Sequence, residues 1–528
     1  MMKPVSLCCM AAAGLAAVAA CPAFGAESGE TGTPPSPPAV IAKVSDKPIG
    51  FADLPPPRRF VTRHKTTIRG KSISYTVCAC ETYITNYTGE PIGRFFSFTY
   101  TKDDAAEAAR PVIFVFNGGP GSASLWLHIG ALGPKRVALD AEVNPSNTPP
   151  FGTRDNPFSL LDVADLVFID PLGTGYSHAV GYAKDADFES VDADADSVAR
   201  FIEIWLSNYG RWKSPKFVLG ESYGSIRAAV LPRALMGGPM YSQVMRGITL
   251  DGVILLGTSL DVGVPETHVT GVDPSVGFPI SSMAVTAWYH RRIDRAGRTA
   301  AEIYDDASRF GQSEFADAVH QLKDGSLSEA DENRIAAKLE SYTAIPALTW
   351  KRSGFQLDER EFSKQLLAKD GLEVGMYDSR YTLKLAGGGG DPVSDDPAMG
   401  RYVPGFVAAF NDLLKSDLKV DVPISYTAIN FVAPFKWSFA RTGVPEGQGF
   451  AVDLATAMRR TPKMRVFVAS GYFDMLSKPA SVAAQINKGG LPMDRVTLKN
   501  YESGHMLYLG ETEQAFTNDL RSWMLSHP

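Results

Sequence analysis

Five short apolar runs recur along this chain, and helical stretches separate them. They occupy residues 111–116, 166–169, 216–219, 252–256 and 465–469. Runs that are apolar at successive positions, instead of alternating with polar residues, are typical of strands buried on both faces of a sheet. Residues 191–208 have the pattern of an amphipathic crossover helix. The chain is therefore predicted to be an α/β protein with a mostly parallel central sheet flanked by helices.

The strand–helix alternation stops between residues 262 and 445. Within this segment residues 284–321 and 328–342 have helical patterns, and a flexible glycine-rich loop is predicted at 387–390. We interpret residues 262–445 as a largely helical insertion that caps the sheet.

The core predicted around this insertion comprises residues 58–261 and 446–528. In residues 71–100, β-branched and aromatic residues alternate with polar ones around a turn signal at 86–89, which predicts antiparallel strands. A helix is predicted at residues 511–525.

The first residues have the features of an export signal. Lys3 precedes an apolar run rich in alanine, leucine and valine, as in a secretory signal peptide. Small residues at Ala23 and Gly25 permit cleavage before Ala26, so residues 1–25 are predicted to be removed. The protein is therefore expected to be exported, to the periplasm or outside the cell.

A second processing site stays open. The sequence VAAC at residues 18–21 resembles a bacterial lipobox, and a lipid on Cys21 would anchor the protein to the cell envelope. In both cases residues 26–57, which are rich in proline, are expected to form an extended tether.

Charge and hydropathy exclude several classes of partner. The formal net charge is −6 and no long basic run occurs, so nucleic-acid binding is not expected. No apolar run after the export signal reaches the roughly 18–20 residues that a membrane-spanning helix needs. No metal or organic cofactor is indicated.

Two cysteines, Cys78 and Cys80, are expected in the folded body. At this spacing in a strand both side chains lie on the same face, where a disulfide between them would be strained. Two thiols alone do not form a zinc site. We interpret the pair as small strand residues, in a fold that rests on its apolar core.

A serine lies in the pentapeptide GESYG at residues 220–224, between the apolar run 216–219 and a predicted helix at 225–235. A G-x-S-x-G motif on a strand–turn–helix unit lifts the serine hydroxyl above the edge of the sheet. The helix N-terminus places a positive partial charge nearby. Ser222 is therefore predicted to be a nucleophile.

A glycine-rich loop, NGGPGS at residues 117–122, directly follows the apolar run 111–116. In folds with this type of serine turn, the loop after an early strand supplies one N–H group to the oxyanion, and the residue after the nucleophile supplies the other. A phosphate-binding loop is excluded, because no Gly-Lys-Ser or Gly-Lys-Thr follows.

Together these motifs resemble the serine carboxypeptidases, peptidase family S10 of the α/β-hydrolase superfamily. Further matches follow in the family's order: LGP at 132–134, NPFS at 156–159, DPLGTGYS at 170–177, SGYFD at 470–474 and GHM at 504–506. The insertion matches far less clearly. The resemblance implies an α/β-hydrolase fold and a serine-type carboxypeptidase acting on the C-termini of peptides or proteins.

A serine nucleophile needs a base, and the base needs an orienting acid. Asp474 lies just past the run 465–469, and His505 lies before the last predicted helix. The order Ser, Asp, His is that of the α/β-hydrolases. We predict that Asp474 and His505 complete a triad with Ser222, and that His128 is close enough to the glycine-rich loop to line the pocket.

The resemblance also assigns binding roles. The oxyanion is expected to be stabilised by the N–H groups of Gly119 and Tyr223, and the terminal carboxylate of a peptide by Asn117, Gly118 and Glu221. A glutamate that receives a carboxylate must be protonated, because two negative charges repel each other. The resemblance therefore implies a preference for acidic conditions.

Two positions depart from the family pattern. Val115 and Ala131 stand where familiar members have a Trp and a second Glu, and that Glu normally shares a hydrogen bond with the one beside the nucleophile. Without this partner we expect Glu221 to be better solvated, with a less raised pKa and activity closer to neutral pH. Alternatively, the carboxylate site is altered and the substrate differs.

Three functions stay open at this point. A secreted serine carboxypeptidase is favoured. An esterase or acyltransferase on the same scaffold is the second, because the same acyl-enzyme can pass its acyl group to another acceptor. An inactive hydrolase-like binding protein is the third, and the intact triad argues against it.

Overall fold

A ten-stranded sheet forms the centre of the protein in the computed structural model. Its strands in chain order are β1 (Arg59–Ile68), β2 (Lys71–Thr85), β3 (Pro91–Lys102), β4 (Val112–Phe116), β5 (Asp165–Asp170), β6 (His178–Ala179), β7 (Lys216–Glu221), β8 (Gly252–Leu256), β9 (Arg465–Gly471) and β10 (Val496–Tyr501). They lie side by side in the order β1-β2-β3-β5-β4-β7-β8-β9-β10, and β6 pairs with β3.

The structure describes residues 50, 53–105, 110–140, 143–239, 243–263, 271–385, 390–445, 447–510 and 512–526. The predicted signal peptide, Cys21 and most of the predicted tether lie outside these residues, as does most of the predicted loop at 387–390.

The two parts of the sheet differ in strand direction. Strands β1 to β3 are antiparallel, and β3 is antiparallel to β5. From β5 through β4 to β10 all neighbours are parallel. The five apolar runs of the sequence form β4, β5, β7, β8 and β9, which are almost entirely buried. This is the α/β-hydrolase fold, and the predicted fold class is confirmed.

Helices cover both faces of the sheet and continue into the insertion. In chain order the longer ones are α1 (Val191–Asn208), α2 (Tyr223–Met236), α3 (Phe278–Tyr289), α4 (Ala300–Phe310), α5 (Ala316–Asp324), α6 (Glu329–Thr343), α7 (Pro397–Ser416), α8 (Ala451–Arg460), α9 (Pro479–Lys488) and α10 (Thr512–Leu525). The continuous helical pattern predicted over residues 284–321 is interrupted between α3 and α4, where residues 290–299 form turns.

Three apolar clusters hold these layers together. Helices α1, α2, α8 and α9 contribute to the cluster on one face of the sheet, and α7 and α10 to the cluster on the other. Helices α3 to α6 form a third cluster, which also contains Phe473 and Met475 on either side of Asp474. The part of the insertion that contains α3 to α6 therefore has a core of its own, and it also packs against the loop that carries Asp474.

Two predictions about buried residues in this fold are wrong. Cys78 and Cys80 are joined by a disulfide within β2, with their Cα atoms 5.5 Å apart, a separation that lies inside the range for disulfides. His128 does not line the pocket. Its ring stacks on Phe168, and its Nε2 lies 2.6 Å from the hydroxyl of Tyr100, so it is a core residue.

None of the helices in the described ranges has the length and apolar character to cross a membrane.

Candidate active site

Ser222 lies at the sharp turn between β7 and α2. Its backbone has φ +58° and ψ −129°, a conformation that non-glycine residues rarely adopt and that is typical of functional turns. The N–H group of Ser222 donates to the carbonyl of Leu256 at 2.9 Å. The turn therefore holds Ser222 at the carboxyl ends of the parallel strands, where this class of fold binds its ligands.

Glycines allow the loop after β4 to approach this turn. A Cβ atom on Gly118 would overlap the backbone of Glu221 and Tyr223, and one on Gly220 would overlap the carbonyl of Gly224. Only glycine permits such close contact between two backbones. The sequence motifs GESYG and NGGPG are therefore two sides of one tightly packed junction.

Asp474 and His505 form a hydrogen-bonded pair beside this junction. Asp474 Oδ2 and His505 Nδ1 lie 2.8 Å apart. The other carboxylate oxygen, Oδ1, accepts the N–H groups of Leu476 at 2.8 Å and Ser477 at 2.9 Å. This arrangement fixes the orientation of the carboxylate and assigns the proton on the imidazole to Nδ1, which leaves Nε2 as the basic nitrogen.

Ser222 and His505 line the same cavity, and Asp474 is fully buried behind the histidine. Burial alone would lower the pKa of His505, but the charge of Asp474, their hydrogen bond and the charge of Glu221 outweigh this effect. The pKa of His505 is raised as a result. A histidine with a raised pKa accepts a proton more readily, as a general base must.

The two N–H groups expected to stabilise an oxyanion also lie at the cavity. Gly119 and Tyr223 both line it. Within the described part of the chain, neither of these N–H groups donates a hydrogen bond to a backbone carbonyl. Tyr223 is the first residue of α2, so the helix dipole adds a positive partial charge at this point.

Glu221 is bound by two side chains. Its Oε2 accepts hydrogen bonds from the Nδ2 group of Asn117 and, at 3.0 Å, from the hydroxyl of Tyr508. Its Oε1 is buried and has no hydrogen-bond partner in the described part of the chain. Asn117 is itself fixed, because its Oδ1 accepts the N–H group of Leu127 at 3.1 Å.

Burial raises the pKa of Glu221 to about 7, against the opposing effects of the charge on His505 and the hydrogen bonds from Tyr508 and Asn117. The expectation that Glu221 is well solvated without a second glutamate is wrong. Only 3% of the residue is exposed, and the hydroxyl of Tyr508 is a partner that the sequence motifs did not reveal.

A buried ion pair beneath the junction was also missed. Arg227 Nε donates to Asp194 Oδ2 at 2.7 Å, and its Nη1 donates to the carbonyl of Asn117 at 2.8 Å. The hydroxyl of Tyr223 donates to the same Asp194 oxygen at 3.0 Å. Arg227 thus joins the glycine-rich loop to helices α1 and α2. In the sequence, the only sign of this contact was that Arg227 lies in α2, shortly after Ser222.

Among the described residues that line the cavity, Glu221 and His505 are the only ones of the types Asp, Glu, His, Lys and Arg. Most of the remaining lining is apolar or aromatic, including Trp126, Val393, Met399, Tyr402, Ile429 and Phe431. No group of three or more His, Cys, Asp or Glu side chains suited to a metal ion occurs in the described ranges.

Known proteins share the sequence around this site. A family model described as serine carboxypeptidase matches residues 82–325. Over these residues, which make up less than half of the 528-residue chain, the sequence is similar to the serine carboxypeptidase family. The matched segment contains the glycine-rich loop and Ser222, whereas Asp474 and His505 lie beyond it.

Individual serine carboxypeptidase relatives match shorter stretches. Serine carboxypeptidase-like 36 from Arabidopsis thaliana is 27% identical over 136 residues, which cover 25% of this chain and 26% of that protein. Pheromone-processing carboxypeptidase KEX1 from Saccharomyces cerevisiae is 29% identical over 160 residues, which cover 28% of this chain and 20% of that protein. The matched stretch thus spans about a quarter or less of these relatives' length.

Solved structures are similar at lower identity. A peroxisomal α/β-hydrolase from Saccharomyces cerevisiae is 10% identical, with 89% of this chain and 90% of that chain covered and a TM-score of 0.33. A soluble variant of monoglyceride lipase from the same organism is 12% identical, with 84% and 96% covered and a TM-score of 0.33.

Proposed function

We propose that this protein is a serine-type carboxypeptidase that hydrolyses the C-terminal peptide bond of its substrates. The observation that carries the proposal is the buried carboxyl of Glu221, bonded to Asn117 and adjacent to Ser222 in the chain. Ester hydrolysis needs a nucleophile, a base and an oxyanion site. A buried acid with a raised pKa beside them gives the cavity a means of binding a free carboxylate.

In the proposed reaction Nε2 of His505 takes the proton of the Ser222 hydroxyl while the oxygen attacks the carbonyl carbon. The N–H groups of Gly119 and Tyr223 stabilise the tetrahedral oxyanion. The imidazolium, stabilised by Asp474, gives its proton to the leaving amine, and the peptide bond breaks. A water molecule, deprotonated by His505, then hydrolyses the acyl-enzyme and frees Ser222.

The terminal carboxylate of the substrate is proposed to bind at Asn117, Gly118 and Glu221. Because Oε2 of Glu221 already accepts two hydrogen bonds, the proton of the acid form belongs on Oε1. From there it can be donated to a carboxylate oxygen of the substrate, in a charge-assisted hydrogen bond.

The proposal is tested with N-blocked dipeptides over a series of pH values, with the wild type beside Ser222→Ala. We expect the wild type to release the free C-terminal amino acid, and the variant to lose at least about a thousandfold in kcat. Hydrolysis of N-blocked amino acid esters without peptide hydrolysis would instead favour the esterase or acyltransferase. Failure of an organophosphonate to label Ser222 would contradict both enzymes.

We further propose that residues 58–261 and 446–528 form the catalytic core, and that residues 262–445 act as a cap over it. Tyr377, Val393 and Met399, all from the insertion, line the cavity, which supports a role of the cap in substrate selection. Limited proteolysis followed by mass spectrometry would contradict this division if stable fragments ended well inside either part.

Export is proposed from residues 1–25, with release of a protein that begins at Ala26. The intact mass of the protein recovered from the periplasm or the medium tests this. A mass that corresponds to a lipid-modified chain beginning at Cys21 would replace release by anchoring to the envelope. An unprocessed N-terminus in the cytoplasm would contradict export altogether.

A further inference from the structure

Tyr508 lies against the carboxyl that is proposed to recognise the substrate. Its hydroxyl donates to Glu221 Oε2 at 3.0 Å, and its side chain has no exposed surface. The same Glu221 oxygen accepts the Nδ2 group of Asn117. The contact therefore places a donor from near the C-terminal end of the chain on the same carboxyl oxygen that Asn117 binds.

Small residues make room for this ring. A Cβ atom on Gly130 would overlap the Tyr508 ring, and the next residue, Ala131, has no side chain beyond Cβ. The backbone of Tyr508 is also held, because Arg136 Nη2 donates to its carbonyl at 2.7 Å. The absence of a side chain at Gly130 thus leaves the space that the Tyr508 ring occupies.

The Tyr508 hydroxyl lies in an environment that favours its protonated form. Burial raises its pKa well above the usual value, and the charge of Glu221 and the shared hydrogen bond act in the same direction. The hydroxyl therefore stays protonated and remains a donor across the range in which an enzyme works.

We propose that Tyr508 is a positioning residue that orients Glu221 for carboxylate binding. It occupies Oε2 together with Asn117, so that Oε1 is the oxygen that carries the proton of the acid form and meets the substrate. The tyrosine hydroxyl is thus the second side-chain donor to Glu221, beside Asn117. The inference rests on the proposed carboxypeptidase function.

Other groups also act on Glu221 and must be considered with Tyr508. The charges of His505 and Asp474 shift its pKa in opposite directions, and the buried hydroxyl of Tyr402 lies within reach of its charge. These groups stay in place when the Tyr508 hydroxyl is removed. The hydrogen bond from Tyr508 lowers the pKa of Glu221, so its loss raises that pKa further.

The test compares Tyr508→Phe with the wild type on two substrates that share the same acyl part. One is an N-blocked dipeptide with a free carboxylate, and the other is the matching methyl ester of the N-blocked amino acid. We expect KM for the dipeptide to rise by about tenfold, as for loss of one hydrogen bond in a buried site. Ester hydrolysis should stay within about twofold, since Ser222, His505 and Asp474 are untouched.

The pH profile gives a second readout that a purely structural role would not move. With a higher pKa of Glu221, the alkaline limb of kcat/KM for the dipeptide should move to higher pH in Tyr508→Phe. The ester has no free carboxylate, so it should show no such alkaline limb in either protein. Tyr501→Phe is the matched control, because the hydroxyl of Tyr501 donates to Asp519 and its residue does not line the cavity.

Two outcomes overturn the role of Tyr508: dipeptide kinetics that match the wild type, or equal losses on both substrates. If Tyr508→Phe does not fold, Gly130→Ala is measured on the same two substrates. It displaces the ring without removing the hydroxyl, and the same difference between dipeptide and ester is expected. The proposed carboxypeptidase function itself fails in a distinguishable way: the wild-type protein then hydrolyses the ester but not the dipeptide.

Discussion

Glu221 and His505 line the same cavity, and each changes the protonation of the other. The charge on Glu221 contributes to the raised pKa of His505, and the charge on His505 opposes the raised pKa of Glu221. The proposed peptide hydrolysis needs both residues in their neutral forms, with the proton of Glu221 on the carboxyl and Nε2 of His505 free. The ionised pair holds the same number of protons and is inactive, so the two residues titrate as a unit.

This coupling predicts a bell-shaped pH dependence of kcat/KM for peptides. Activity falls as pH drops through the raised pKa of His505, because the base becomes protonated. It also falls as pH rises above about 7, the pKa of Glu221, because the ionised carboxyl repels the substrate's carboxylate. In Glu221→Gln, which cannot ionise, we expect the alkaline limb to disappear. The measurement is the pH profile of kcat/KM for one dipeptide with the wild type and with Glu221→Gln. An alkaline limb that persists in the variant would contradict the assignment of that limb to Glu221.

Residues 376–379, a short strap from the insertion, connect the loops that carry the proposed acid and base. The N–H group of Met475 donates to the carbonyl of Met376 at 3.1 Å, and that of His505 donates to the carbonyl of Tyr377 at 2.7 Å. In the opposite direction, Ser379 donates to the carbonyl of Phe473 at 3.0 Å. The insertion therefore fixes the position of the acid and base as well as lining the cavity.

Gly504 tests the importance of this strap. A Cβ atom at this position would overlap the carbonyl of Tyr377 and the side chain of Asp378. Gly504→Ala should therefore displace the strap away from the loop that carries His505. We expect kcat to fall by about a hundredfold on both peptide and ester, because small displacements of catalytic groups have effects of this size. Gly152→Ala is the control, since a Cβ there meets no atom within 4 Å, and it should leave kcat unchanged. Equal kcat in the two variants would mean that the strap has no such role.

These elements show which features could be predicted from sequence. The junction of NGGPG and GESYG was predictable because each motif is local and its glycines have a steric reason. Asp474 and His505 were predictable from their order and their positions next to strands. The contact of Tyr508 with Glu221 joins residues 287 positions apart, and neither residue type nor spacing signals it. The Cys78–Cys80 disulfide was missed because a bond between residues two apart in one strand was expected to be strained.

At the scale of the whole molecule, the cavity is built between the sheet and the insertion. The sheet contributes Ser222 and Glu221, while the insertion contributes apolar side chains such as Val393, Met399 and Phe431. In the described lining the only acidic or basic side chains are those of Glu221 and His505. A charged substrate side chain would be buried here without a partner, at a cost of several kcal/mol.

The protein should therefore prefer substrates with apolar side chains on both sides of the scissile bond. We expect kcat/KM for an N-blocked Phe-Leu dipeptide to exceed that for Phe-Lys or Phe-Asp by about a hundredfold or more. The three peptides are compared at one pH and ionic strength, with release of the C-terminal amino acid as the readout. Equal rates, or a preference for lysine, would show that other residues line the path of the substrate side chains.

The strand order has a consequence for biosynthesis. Strand β9 pairs with β8, although residues 257–464 lie between them, and Asp474 and His505 follow β9. A ribosome thus completes the serine turn long before the proposed acid and base are synthesised. Closing so long a loop is slow compared with local folding. A nascent chain would carry Ser222 without its base, and hydrolytic activity is expected only after nearly all of the 528 residues have been synthesised.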